Sequence, residues 1–259
     1  MTASLRPFPS GRPTGERPPT LVAVAHGSRD PAALRTVTAL VNAVRALRPD
    51  VPVRLGHIEL NRPLLEDTLA ALRGEAVLVP LLLGRGYHVK EDLPAAAARA
   101  AHLTTRIAAP LGPHPLLAEA LHARLNEAGR RVRAPRRPGA VVLAAAGSRD
   151  PDAAVDAAAT ATLLGARLGG VPVVPAYASA AGPTVADAVR ALAPHHRDIA
   201  VASYFTAPGR FATQCADASP GVAAAPLGAH PAVARLVLHR YEQALACAPL
   251  SYRAVTVGV

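Results

Sequence analysis

Short, unbroken apolar runs alternate along this chain with longer stretches in which Ala and Leu recur among charged residues. The runs at 21–25, 52–58 and 76–83 have counterparts at 141–145, 172–178 and 199–206. Continuous apolar runs, as opposed to alternating ones, predict strands buried on both faces, which means parallel sheets covered by helices. The Ala-rich stretches at 32–47 and 152–168 predict helices. Asp30 and Asp150 each stand immediately before a proline, as an N-cap followed by proline in the first turn requires. Further helices are expected to open at Pro63 and Pro183. Short fourth strands are expected to end near Pro110 and Pro226, and last helices to follow His114-Pro115 and His230-Pro231. The fold class predicted is α/β, with parallel sheets and helices on both faces.

The pattern is written twice. Residues 25–31 read AHGSRDP and residues 145–151 read AAGSRDP, at an offset of 120. Pro63 repeats as Pro183 at the same offset, and PLGPHP at 110–115 repeats as PLGAHP at 226–231 after a slight slip. Matches that keep their order imply two homologous halves. The expected organisation is a disordered tail over 1–19, one βα domain over 20–129, a linker over 130–139, a second domain over 140–250 and a tail over 251–259.

Composition narrows the partners. The formal charge is +10, and Lys90 is the only lysine. A basic surface favours anionic partners, but the arginines are scattered, and the run from Arg130 to Arg137 falls in the expected linker without aromatic residues to stack bases. Nucleic acid is therefore not expected as a partner. Cys215 and Cys247 match no metal or redox spacing, so a reducing, cytoplasmic compartment is expected. No segment has the length and apolarity of a membrane span or the h-region of a signal peptide.

Ligands in such folds bind beyond the carboxyl ends of the strands. In the first half these positions carry His26 after strand one, His57 and Glu59 at the close of strand two, and His88 in the loop after strand three. Two imidazoles and a carboxylate at one sheet edge suit a first-row divalent metal. At the repeat offsets, Ala146 replaces His26, Ser179 replaces Glu59 and Phe211 replaces His88. Joint loss of all three on a retained scaffold argues that they act as a set. His57 reads as structural or as a supporting group. His114 and His230 recur in both halves and read as structural, at a strand–helix junction. Glu91 and Asp92 read as caps of the next helix, with an extension of the metal entry path as the alternative.

AHGSRDP after strand one, the IEL sequence at strand two and GYHVKEDLP after strand three together resemble the sirohydrochlorin chelatases of the siroheme and cobalamin pathways. The resemblance covers about residues 20–250. It implies two tandem flavodoxin-like halves with a cleft between them, the second half degenerate. It further implies insertion of Fe2+ or Co2+ (Ni2+ in vitro) into sirohydrochlorin, a polycarboxylate tetrapyrrole, with no nucleotide or other cofactor. His26 and His88 match the family's active-site histidines, and Glu59 matches the carboxylate that joins them on the metal. Ser28, Arg29, Arg85, Tyr87 and Lys90 are candidates for holding the substrate, from their loop positions alone. A monomer is expected, because the repeat supplies both walls of the cleft.

Two other functions fit parts of the pattern. A non-catalytic metal or tetrapyrrole carrier would keep the same ligands. A phosphohistidine enzyme could use His26 with Arg29 and Arg85, but would not need Glu59 and His88 as a set. Walker A, GxGxxG, GxSxG and HExxH motifs are all missing.

Overall fold

The structure is a computed structural model that describes residues 17–131 and 138–247. Most of the expected tails and linker lies outside these residues. The first half runs β1 (Thr20–Ala25), α1 (Pro31–Leu47), β2 (Val53–His57), α2 (Leu65–Ala70), β3 (Gly74–Pro80), a π-helical segment (His88–Asp92), α3 (Leu93–Arg99), β4 (Leu103–Ile107) and α4 (Pro115–Arg131). The second half repeats the order as β5 (Ala140–Ala145), α5 (Pro151–Arg167), β6 (Val173–Tyr177), α6 (Val185–Leu192), β7 (Ile199–Ser203), α7 (Arg210–Asp217), β8 (Val222–Ala223) and α8 (Pro231–Ala246).

Each half forms a four-stranded sheet, in the orders β2-β1-β3-β4 and β6-β5-β7-β8, with every pairing parallel. The chain reverses its direction of travel across the sheet between β1 and β3. That reversal opens a crevice at their carboxyl ends, where ligands of such sheets bind. The caps expected from the sequence are present. The Asp30 carboxylate accepts from the Ala32 amide and the Asp150 carboxylate from the Asp152 amide, each with proline at the first helical position. The sequence overextends the second and third strands of each half. Strand two stops at His57, because the chain turns at Leu60, which has φ 65°. Glu59 therefore lies on the turn and not on the strand. Strand three stops at Pro80, where the edge of the sheet is reached although the apolar run continues.

The halves are not two self-contained units. α4, the last helix of the first half, packs on β7, β8 and α5, while α8 packs on β3, β4 and α1. Each sheet is thus covered by the final helix of the other half. A continuous apolar core runs between the sheets from Leu21, Val79 and Leu121 to Leu143, Leu236 and Tyr241. Separate outer cores lie behind each sheet. Some polar contacts across the interface join positions that exchange when the halves exchange. Tyr204 Oη donates to Leu83 O at 2.7 Å and Thr206 Oγ1 to Leu81 O at 3.0 Å. Arg124 donates to Leu227 O at 2.9 Å and Arg240 to Leu111 O at 3.0 Å. Pro19, at the end of the expected tail, is buried and accepts from Tyr241 Oη at 2.8 Å.

Candidate active site

The segment after β1 can turn only because residue 27 is glycine. Gly27 has φ 107°, and a Cβ there would run into the Glu59 carbonyl oxygen. That close approach brings two segments together: the Glu59 amide donates to His26 O at 3.0 Å, and the Asn61 carboxamide accepts from the Ser28 amide at 2.7 Å. The second half copies this backbone. Gly147 has φ 87° and abuts the Ser179 carbonyl, and the Ser179 amide donates to Ala146 O at 3.0 Å. His26 with Ala146 and Glu59 with Ser179 are therefore equivalent in space as well as in sequence.

His26 and His88 meet edge to face, with ring centroids 4.6 Å apart. His26 Nδ1 lies 3.2 Å from Gly27 O and 3.5 Å from Glu59 Oε1. A carbonyl and a carboxylate can only accept, so in a neutral ring this nitrogen carries the proton and Nε2 is the atom left to accept. His88 is held in the same way, with Nδ1 2.5 Å from Asp92 Oδ2. Asp92 is four residues on from His88, and the π-helical winding of His88–Asp92 sets the spacing between them. Its side chain makes no capping hydrogen bond to α3, which corrects the expectation of a helix cap. A carboxylate on the outer nitrogen of a histidine fixes ring orientation and raises its basicity as a ligand. Among the described residues, no set of three or more His, Cys, Asp and Glu side chains stands ready to hold one ion. The two imidazoles are in ring contact, and the Glu59 carboxylate lies beside His26.

These groups line a cleft of about 1090 Å³ between the carboxyl ends of both sheets. Its walls include His26, Glu59 and His88 from one half and Ala146, Tyr177 and Phe211 from the other. The volume lies at the upper end of small-molecule sites. Of the expected substrate contacts, Ser28, Arg29 and Arg85 line the cleft, and Tyr87 is exposed beside the His88 ring. Arg85 is engaged elsewhere. Its guanidinium pairs with the buried Asp156 at 2.7 Å, and its amide donates to the same carboxylate at 2.7 Å. Lys90 bridges Asp150 at 2.7 Å and Asp152 at 2.9 Å. Hydrogen bonding to these two carboxylates raises the Lys90 pKa, and Lys90 in turn lowers that of Asp150. Both cations thus join the His88 segment to the start of α5. Sequence reasoning missed this because the acidic partners lie in the other half.

His57 is buried, with Nδ1 3.1 Å from Pro63 O, in keeping with a structural part. His114 and His230 sit where the repeat implied. Their Nδ1 atoms accept from the Leu116 and Ala232 amides, each at 3.1 Å, at the start of the last helix of each half.

The family model of CbiX matches residues 20–128 and 140–244, covering both repeats. The chain belongs to the CbiX family. A sirohydrochlorin ferrochelatase of Bacillus subtilis is 31% identical over 169 residues, 62% of this chain and 63% of that protein. A sirohydrochlorin cobaltochelatase of Methanosarcina acetivorans is 32% identical over 78 residues, 29% of this chain and 60% of that protein. The chain thus spans less than two thirds of the length of these curated relatives. Among solved structures, SirB from Bacillus subtilis with Fe3+ aligns with TM-score 0.71 at 24% identity, covering 88% of this chain and 95% of that one. The structure of CbiX described as the terminal enzyme of siroheme biosynthesis in denitrifying bacteria aligns with TM-score 0.68 at 21% identity, covering 87% and 99%. These likenesses bear on the fold, which is that of two tandem chelatase-like α/β halves.

Proposed function

We propose that this CbiX-family chain is a sirohydrochlorin chelatase, a lyase that inserts Fe2+ or Co2+ into the free tetrapyrrole without a nucleotide. The observation that carries this reading is the His26–His88 pair, both rings held by acceptors at Nδ1 and both lining a cleft wide enough for a macrocycle. The names of the relatives agree with it.

Insertion makes two demands. The ion must pass from protein ligands to four ring nitrogens, and two pyrrole N–H protons must leave. Neutral imidazole meets both, since near pH 7 it can hold a metal or accept a proton. In this reading His26 and His88 offer Nε2 to the ion. Glu59, half-exposed on its turn, supplies the third ligand once it swings from His26. A site of three protein ligands keeps positions open, so the ion can be given up. As the ion leaves, His26 takes one pyrrole proton and His88 the other, with the Glu59 and Asp92 carboxylates beside them stabilising the two imidazolium rings.

The test is Co2+ insertion into sirohydrochlorin, followed by the change in tetrapyrrole absorbance. Wild type is expected to turn over repeatedly, while His26→Ala and His88→Ala lose nearly all activity. Full activity in both variants would refute the site. Tight binding without turnover in wild type would make the chain a carrier.

A further inference from the structure

The degenerate half contributes something of its own to the cleft. The amide of Lys90 donates to Gly86 O and the amide of Thr213 donates to Gly209 O, each at 3.0 Å. These matching turns fix the repeat register, so that Arg210 stands where Tyr87 stands in the first half and Phe211 where His88 stands. Where the first half has a metal ligand, the second has an arginine and an aromatic ring.

We propose that Arg210 and Phe211 form the substrate-recognition wall of the cleft, Arg210 receiving a carboxylate of the tetrapyrrole and Phe211 lying against the macrocycle face. This rests on the chelatase reading and assigns the second half its part in it. Four observations support it. Both residues line the same cleft as His26 and His88. Phe211 is 38% exposed in a protein that buries nearly all its large apolar side chains. An aromatic ring left open inside a concave wall offers a flat apolar ligand its largest contact. The third observation concerns charge. Arg85 and Lys90 are already neutralised by Asp156, Asp150 and Asp152. Arg210 and Arg29 line the cleft and form no ion pair among the described residues. A polycarboxylate needs cations whose charge is not already spent, and guanidinium offers a paired donor edge to each carboxylate. Finally, Gly209 faces Ser28 across the cleft, a Cβ there standing 3.9 Å from Ser28 Oγ. Arg210 and Phe211 therefore follow directly from the point where the second half meets the turn that bears His26.

The experiment compares wild type with Arg210→Gln, Arg210→Lys, Phe211→Ala and Phe211→Tyr. Three quantities are read: KM and kcat for sirohydrochlorin, binding of metal-free sirohydrochlorin by its own fluorescence anisotropy, and Co2+ affinity without tetrapyrrole. Arg210→Gln and Phe211→Ala should each weaken sirohydrochlorin binding and raise KM about tenfold, the scale of one lost charge-assisted bond or one lost stacking contact. Their kcat and Co2+ affinity should stay within about twofold, and Arg210→Lys and Phe211→Tyr should recover most of the loss. Unchanged sirohydrochlorin affinity in both Arg210→Gln and Phe211→Ala overturns the proposal, as does an equal fall in Co2+ affinity. If wild type binds sirohydrochlorin but inserts no metal, the chelatase reading fails alone, and the anisotropy series still decides the role of these two residues.

Discussion

Asp92 shows how the orientation of a candidate ligand can depend on one residue outside the candidate set. It holds His88 Nδ1 and lines no part of the cleft. If His88 is a ligand, loss of the Asp92 charge should weaken Co2+ binding about tenfold or more, the usual cost of removing such a carboxylate. Asp92→Asn titrated with Co2+ by calorimetry measures this directly; wild-type affinity would make the contact incidental. His26, Glu59 and His88 stood out in the sequence as a candidate set because their repeat partners are Ala146, Ser179 and Phe211, and a joint loss is visible without coordinates. Asp92 read first as a cap because it stands just before α3, and only the folded structure places its carboxylate on His88. Arg85 and Lys90 looked like substrate ligands because their carboxylate partners are supplied by the other half.

At the scale of elements, the last helices of the two halves carry a pH dependence of their own. The His114 and His230 rings accept amide hydrogens and must be neutral to do so. Burial, with Arg240 and His239 nearby, lowers the His114 pKa from 6.5 to about 4, and burial likewise lowers that of His230. As pH falls below about 6.5 the unfolded chain gains these protons while the folded chain refuses them. Stability should therefore be full above that value and decline as pH falls towards about 4. His114→Asn with His230→Asn keeps an acceptor at each cap and should flatten this slope in urea unfolding at pH 7, 6 and 5. An undiminished slope would assign it to other groups. These helix starts were legible as His-Pro motifs, and the aspartate caps of α1 and α5 as Asp-Pro. Strand ends were less so, because an apolar run continues past the edge of its sheet. Val79, Pro80 and Leu81 are all buried, yet the strand ends at Pro80.

For the whole molecule, the repeat predicted two sheets and their order of elements, but not that α4 and α8 exchange sheets. An amphipathic helix shows which face it buries; it does not show which of two equivalent sheets will receive it. The consequence is a shared core, so the halves should unfold together. Far-UV circular dichroism and tyrosine fluorescence should report one coincident urea transition, and two separated transitions would show independent domains. Arg85→Ala leaves the buried Asp156 carboxylate across the interface without its guanidinium. That change should lower the single midpoint, measured in the same experiment. The molecule thus lines one cleft from both halves, with His26 and His88 on one side and Phe211 on the other. The most direct test is a Co2+ titration of the tetrapyrrole-free protein, read from the cobalt absorption bands, in wild type and in the His26→Ala, His88→Ala double variant. One site per chain in wild type, abolished in the double variant, is the expected result; a site that survives both substitutions would contradict it.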